Sequence, residues 1–396
     1  MTMVSFLSRF DELHEYAVKA TGGLSDFGSD EYREPLRLLL GNYDQHARFD
    51  ANGAQLVAQD AVGNLAGRLI EEQGFKSHPD FAAAKVEKPL FIIGLPRTGT
   101  TSLHRLIALD PALQTLPLWL ACAPKPRPPR DTWESQPGFQ QIAQALVQLY
   151  ATSPFFKVMH PQSAEAADEC RIAINHSFWS PGMCSSFSSV PDYSRWCFNT
   201  DARYAFQRYR KVLGLIAGGN KNRWLLKDPS HIWGWSSLLD TFPDACIVFT
   251  HRDPIAAMES FANLMFYSRK LCEPGLKPAE LGNILPGYWG KALARIEHER
   301  KAVSPKQILD LHFDDITMDP VGVIERIYKH FELPISDRVA ALWRERVAAD
   351  PSGGHGGGKA YKLEEFGLTQ KAIVAGVGAY FDRYLNVAAC SCRQPT

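Results

Sequence analysis

No sign of charge predominates in this chain. Over 396 residues, 43 Lys and Arg stand against 43 Asp and Glu, a formal net charge of zero. Proteins that bind nucleic acid or acidic polysaccharide through a global field carry an excess of positive charge, so neither partner is expected here. Recognition of an anion has to be local. Long apolar runs are also missing: no uninterrupted stretch approaches the ~20 residues that span a bilayer, which excludes an integral membrane helix as an expectation. The segment Met1 to Phe10 is too short in apolar residues for a signal peptide, and Arg9, Asp11 and Glu12 interrupt it. Cysteine is sparse and scattered. Of eight, only Cys390 and Cys392 lie close together, with no matching Cys/His pair to complete a metal site. The expectation is a cytoplasmic protein with reduced thiols and no metal.

What is present is concentrated between Pro89 and Pro111. Leu90-Phe91-Ile92-Ile93 has the length and composition of a buried strand, and at Gly94 it breaks into a turn that leads to an amphipathic pattern. The spacing is that of a P-loop: Gly94, four residues, then Gly99 followed by Thr100 and Thr101. A nucleoside triphosphatase carries a lysine where this chain has Thr100. The nearby cation is Arg97, inside the loop, so the stretch reads as a phosphate cradle not made for ATP with magnesium.

Before this stretch, residues 1–85 place apolar side chains at helical spacing: Phe6, Phe10, Leu13 and Tyr16, then Leu36 and Leu38 to Leu40, then Leu56, Val62, Leu65 and Leu69. They read as a helical cap on an α/β domain that fills residues 86–396. After the loop, a helix is expected over Ser102 to Leu109, ended by Asp110-Pro111. The basic, proline-rich run Pro124 to Arg130 is either a solvated extended loop or the rim of an anionic acceptor site. Residues 134–215 look mostly helical, and a helix there would set Glu165 and Glu169 on one face. The aromatic residues Phe178, Trp179, Phe187, Tyr193, Trp196 and Phe198 divide between core packing and an acceptor pocket.

Three more apolar runs end in charged turns: Arg223 to Leu226 before Lys227-Asp228-Pro229, Ala245 to Thr250 before His251-Arg252-Asp253-Pro254, and Ile308 to Phe313 before Asp314-Asp315. Strands alternating with helices predict a parallel sheet, with ligands beyond its carboxyl ends. Lys227, Arg252 and the Gly94 loop are therefore expected to converge. The predicted fold is α/β, a P-loop-type three-layer arrangement with a central parallel sheet flanked by helices. Helices are expected around Pro320 to Phe331 and Asp337 to Ala349. The glycine-rich segment 352–361 reads as a linker or as a lid that brings Lys359 over an anion.

Three blocks together resemble the sulfotransferases that use 3′-phosphoadenosine 5′-phosphosulfate (PAPS), and in particular the bacterial family that opens on PxFIxGxPRSGTT. They are Gly94 to Thr101; Leu225-Leu226-Lys227-Asp228-Pro229-Ser230-His231; and Phe242 to Ala245 through Thr250-His251-Arg252-Asp253-Pro254 to Ser260. The resemblance covers about residues 88–385. It implies that Pro96, Arg97, Thr98, Gly99, Thr100, Thr101 and Ser102 hold the 5′-phosphosulfate, that Arg252 and Ser260 hold the 3′-phosphate, and that Lys227 contacts the donor. The residue chemistry agrees, since Arg252 offers a planar fork for phosphate and Ser260 lies two helical turns on. Lys359-Ala360-Tyr361 before Glu364-Glu365-Phe366-Gly367-Leu368 also resembles the family's carboxyl-terminal pattern, which favours the lid and makes Lys359 and Tyr361 donor contacts.

The implied reaction moves a sulfonyl group to a hydroxyl of a small, apolar or aromatic acceptor, with Arg97 and Lys227 stabilising charge on the leaving bisphosphate. A base is needed for the acceptor proton. Relatives carry a Trp-Glu pair where this chain has Trp119-Leu120, so two substitutes stand: His231, favoured for its pKa and its place beside the donor turn, and Glu169. A P-loop small-molecule kinase and a catalytically silent nucleotide-binding protein are the alternatives. Oligomeric state is left open, with a homodimer compatible.

Overall fold

Five short strands pair in parallel, in the order β2-β3-β1-β4-β5: β1 Leu90–Gly94, β2 Leu113–Thr115, β3 Arg223–Lys227, β4 Cys246–His251 and β5 Ile308–His312. They belong to a computed structural model that describes residues 5–181, 186–282, 285–349 and 361–384. Every residue of β1 and β4 is buried. That is why these strands read as continuous apolar runs and not as an alternation: helices cover both faces.

The two faces belong to two apolar layers. Leu90 and Ile92 of β1 point into one, with Leu225, Val248, Leu103, Ile107, Ile324 and Trp343. Phe91 and Ile93 point into the other, which runs without a break to the N-terminal residues Phe10, Leu36, Leu65 and Leu69. The N-terminal helices Phe10–Ala20, Arg33–His46 and Ala51–Ser77 thus share a core with the sheet. Ion pairs add to this contact. Arg208, on the Arg203–Ala217 helix, binds Glu71 and Glu72 at 2.5 Å each, and Glu71 also holds His176 at 2.6 Å.

Four of the five strands match the apolar runs in the sequence. The fifth, β2, is three residues of mixed polarity at the sheet edge, defined by its pairing with β3 from Leu113↔Arg223 to Thr115↔Leu225. The helix after the loop spans Thr100–Ile107 and starts before the expected Ser102, because Gly99 at φ +84° turns the chain into it. A second difference lies at residues 161–170, which are not helical. An antiparallel bridge between Pro117 and Ala167, and Asp168 N–H donating to the Leu116 carbonyl, hold this stretch extended. Glu165 and Glu169 therefore share no helix face: Glu165 is exposed and Glu169 buried. The basic proline-rich segment is partly structural. Arg127 lies 5.8 Å from both the Trp133 and Trp224 rings and donates to the Thr115 carbonyl at the sheet edge.

Candidate active site

β1 is the central strand, and the chain leaves it to build β2 and β3 on one side before β4 and β5 on the other. A crevice opens beyond the carboxyl ends of strands at such a reversal, and the loop from Gly94 to Thr101 occupies it. Register fixes its neighbours: Ile92 is level with Lys227 of β3, and Gly94 with Thr250 of β4. Gly94 is required by close approach. A Cβ there would stand 2.3 Å from Thr250 Oγ1 and 2.6 Å from the Thr250 carbonyl. The buried Thr98 ties the loop down, donating to the Leu95 carbonyl at 2.6 Å and pairing with Thr250 Oγ1 at 2.6 Å. Pro96, Gly99, Thr101 and Ser102 are half-buried, and Thr100 is buried. The first N–H groups of the Thr100–Ile107 helix have no partner within the helix and carry its positive end.

Two arginines are linked beside the loop. Arg97 adopts φ +69°, an uncommon conformation for a residue with a Cβ. Its carbonyl accepts from Arg252 Nη1 at 2.6 Å, and its own Nε donates to Ser260 Oγ at 3.0 Å. Burial, followed by the charge of Arg252, lowers the pKa of Arg97; burial also lowers that of Arg252. Arg252 stacks 3.9 Å from the Phe313 ring, which fixes the plane of its fork. Asp253 accepts from Ile255 N–H and caps the Pro254–Lys270 helix that carries Ser260.

On the other side of the loop, Lys227 is only 2% exposed. Its ammonium donates to Thr101 Oγ1 at 3.3 Å and to Glu169 Oε1 at 2.9 Å. The second Glu169 oxygen accepts from Arg171 Nε. Cys170 N–H donates to the Lys227 carbonyl and Arg171 N–H to Asp228 Oδ2, so backbone bonds pin this ribbon to the end of β3. Burial alone would raise the Glu169 carboxyl, but Lys227, Arg171 and His160 outweigh it and hold it well below the usual range. His160, Asp168 and Glu169 place three ligand-type atoms within 4.8 Å of one another. A divalent ion there would face Lys227 and Arg171, already on Glu169.

The structure thus brings Arg97, Arg252 and Ser260 together on one flank of the loop and Lys227 with Glu169 on the other. The His231 ring is fully buried, 5.3 Å from Phe91 and 5.5 Å from Phe206, with no hydrogen bond among the described residues, though near enough to Glu169 to feel its charge. Tyr361 is held against the Ser260 helix, its N–H and carbonyl paired with the Asn263 side chain at 2.8 and 2.9 Å, and its ring among Phe266, Tyr267 and Phe366. Lys359 lies outside the described residues. Sequence reasoning missed Arg171, whose link to Glu169 depends on the extended ribbon, and the pairing of Asn263 with Tyr361, 98 residues apart.

A parallel sheet with a glycine-bearing loop at its point of reversal is a P-loop-type α/β fold. Residues 89–337 match the Sulfotransferase family, and the chain belongs to that family; it is a transferase. The sulfotransferase STF1 from Mycobacterium tuberculosis H37Rv superimposes with a TM-score of 0.86 at 32% identity, covering 95% of this chain and 100% of that one. STF9 from Mycobacterium avium gives 0.85 at 27% identity, covering 97% and 98%. In sequence, the omega-hydroxy-beta-dihydromenaquinone-9 sulfotransferase Stf3 of Mycobacterium bovis is 24% identical over 327 residues, 75% of each chain. The fold and family expected from the three sequence blocks are thereby borne out. Among the described residues, no helix is long and apolar enough to cross a membrane.

Proposed function

We propose that the chain transfers a sulfonyl group from PAPS to a hydroxyl of a small, apolar or aromatic acceptor. The observation that carries this reading is the pairing of Arg97, Arg252 and Ser260 on one flank of an anion loop whose other flank presents Lys227. The donor has two anionic ends, and these two clusters match them. The donor supplies an activated sulfonyl group, whose transfer leaves negative charge on the bisphosphate oxygen. Arg252 and Ser260 grip the 3′-phosphate, while the loop N–H groups with Thr100, Thr101 and Ser102 hold the 5′ end. Arg97 stands between them, near enough to feel both Arg252 and Glu169. Lys227 sits at Thr101, where that charge develops, and stabilises it there.

Glu169 takes the acceptor proton in this reading. It is held ionised beside Lys227, whereas the imidazole of His231 is sealed between aromatic rings. A loose transition state asks little of a base until late, which suits a carboxylate of low pKa that chiefly orients the hydroxyl. Stf3 is named for a hydroxylated menaquinone, and this supports an apolar hydroxyl acceptor.

Calorimetric titration with adenosine 3′,5′-bisphosphate tests the donor. Arg252→Ala should weaken binding about 100-fold, the equivalent of roughly 3 kcal/mol for a charged fork on phosphate. Glu169→Gln should lower kcat by at least about 100-fold while the bisphosphate still binds. A protein that binds no bisphosphate, or binds it equally with Ala at 252, overturns the reading.

A further inference from the structure

One residue before Arg252, β4 ends on a histidine that the sulfonyl chemistry does not use. His251 is fully buried, and both of its ring nitrogens are paired. Nε2 meets Asp310 Oδ1 of β5 at 2.8 Å, and Nδ1 meets Tyr380 Oη of the Gln370–Tyr384 helix at 3.0 Å. Burial, more than any neighbouring charge, lowers the pKa of this imidazole, so the ring is uncharged at neutral pH. The carboxylate can only accept, so Nε2–H donates to Asp310 and the Tyr380 hydroxyl donates to Nδ1. Asp310 is shared: its Oδ2 accepts from Arg300 Nη2 at 2.6 Å, and Arg300 Nη1 donates to Tyr384 Oη at 2.6 Å. The Tyr384 ring in turn stacks on His251, 4.1 Å away and 13° from parallel. His251, Asp310, Arg300 and Tyr384 thus form a closed circuit, with Tyr380 as its second hold on the imidazole.

Both nitrogens of the ring and both oxygens of Asp310 are used, and a satisfied buried network of this kind admits one arrangement. Its place in the chain connects it to the donor. The Tyr380 oxygen that holds the His251 ring also faces the backbone N–H of Arg252. β5 reaches the same point: His251 pairs in register with His312, and the next residue, Phe313, carries the ring stacked on the Arg252 guanidinium. The backbone from which Arg252 leaves the sheet is therefore fixed by β5 and the C-terminal helix together. A planar fork binds phosphate well only when it is aimed.

We propose that the Gln370–Tyr384 helix is part of the donor site, with Tyr380 a positioning residue that aims Arg252, through His251 and the end of β4, at the 3′-phosphate. The inference rests on the sulfotransferase reading, in which Arg252 grips that phosphate, and adds to it the element that gives the grip its direction. Tyr380 itself touches no donor atom.

The test compares adenosine 3′,5′-bisphosphate with adenosine 5′-phosphate, which differ by the 3′-phosphate alone, in calorimetric titrations with the weaker ligand read by displacement. Tyr380→Phe leaves Nδ1 of His251 without a donor. It should weaken the bisphosphate about tenfold while adenosine 5′-phosphate changes by less than about twofold. In an Arg252→Ala background the same substitution should cost the bisphosphate almost nothing further, because the group it aims is gone. Tyr384→Phe takes a hydroxyl from Arg300 but leaves both His251 nitrogens paired, so the preference for the bisphosphate should stay within about twofold of its original value. Adenosine 5′-phosphate binding also reports that each variant is folded. Equal losses for both ligands in Tyr380→Phe, no loss for either, an equal fall in preference with Tyr384→Phe, or a loss that persists without Arg252 each overturn the proposal. A protein that binds no bisphosphate, or binds it as well after Arg252→Ala, instead removes the sulfotransferase reading beneath it.

Discussion

His231 and His104 show how burial, more than position in a motif, decides what a side chain can do. Both rings are essentially inaccessible, and burial lowers both to about 3, with the charge of Lys227 adding to the effect at His104. An unfolded chain protonates these rings as the pH falls below about 6.5, while the native protein resists until about 3. Their contribution to stability is therefore full above pH 6.5 and is lost as the pH falls towards 3, by up to ~1.4 kcal/mol per pH unit for each ring. Asp60 and Asp228, both raised to about 6 by burial, act in the opposite direction between about pH 6 and 4. The useful measurement is thus the difference between the unaltered protein and His231→Leu. Urea midpoints from pH 7 to 4 should converge or cross as the pH falls, because the variant lacks one proton-binding penalty. Parallel curves would show that the imidazole is not held neutral.

At the scale of elements, the Pro254–Lys270 helix carries two duties. Ser260 faces the loop, and one turn later Asn263 clasps the backbone of Tyr361 from both sides. Glu259 accepts from Leu363 N–H on the same helix. Asn263→Ala removes two backbone partners and should loosen the Tyr361–Leu368 segment by about 2 kcal/mol. Hydrogen–deuterium exchange should rise there while the helix itself stays protected; unchanged exchange would show that the ring contacts suffice. The long-range character of such contacts also explains what could be read from the sequence. β1, β3 and β4 were legible because a strand covered on both faces is a continuous apolar run, and β5, half-buried at the sheet edge, through Ile308, Leu309 and Leu311. Lys227 and Arg252 were legible because Lys227 ends such a strand and Arg252 directly follows one. The Glu165/Glu169 spacing satisfied a helical pattern, yet the pairing of Ala167 with Pro117 outweighed it. β2 carries no local signal, since it exists only through its pairing with β3, far away in sequence.

At the scale of the molecule, the N-terminal helices share the core of the sheet. Glu71 is fully buried and serves Arg208 and His176 together. Glu71→Ala would leave the Arg208 guanidinium without one of its two carboxylates in the interior, a loss of about 3–5 kcal/mol. Denaturation followed by tryptophan fluorescence and by bisphosphate binding should show both signals shifting to lower urea together, as one cooperative core requires. Separate shifts would mark the N-terminal helices as an independent unit.

The contacts between the two arginines and Ser260 have a bearing on the order of assembly. Arg97 meets Arg252 across 155 positions and Ser260 across 163, and Lys227 meets Thr101 across 126. Parallel strands close such loops late, because chain entropy must be given up before any contact is gained. The loop of β1 can take its local shape early, but the carbonyl of Arg97 has no guanidinium to hold it until β4 has docked. A chain emerging from the ribosome cannot bring Arg252 and Ser260 to the loop before β4 and the helix behind it are in place, so the Arg97 cluster is itself a sign that β4 has docked.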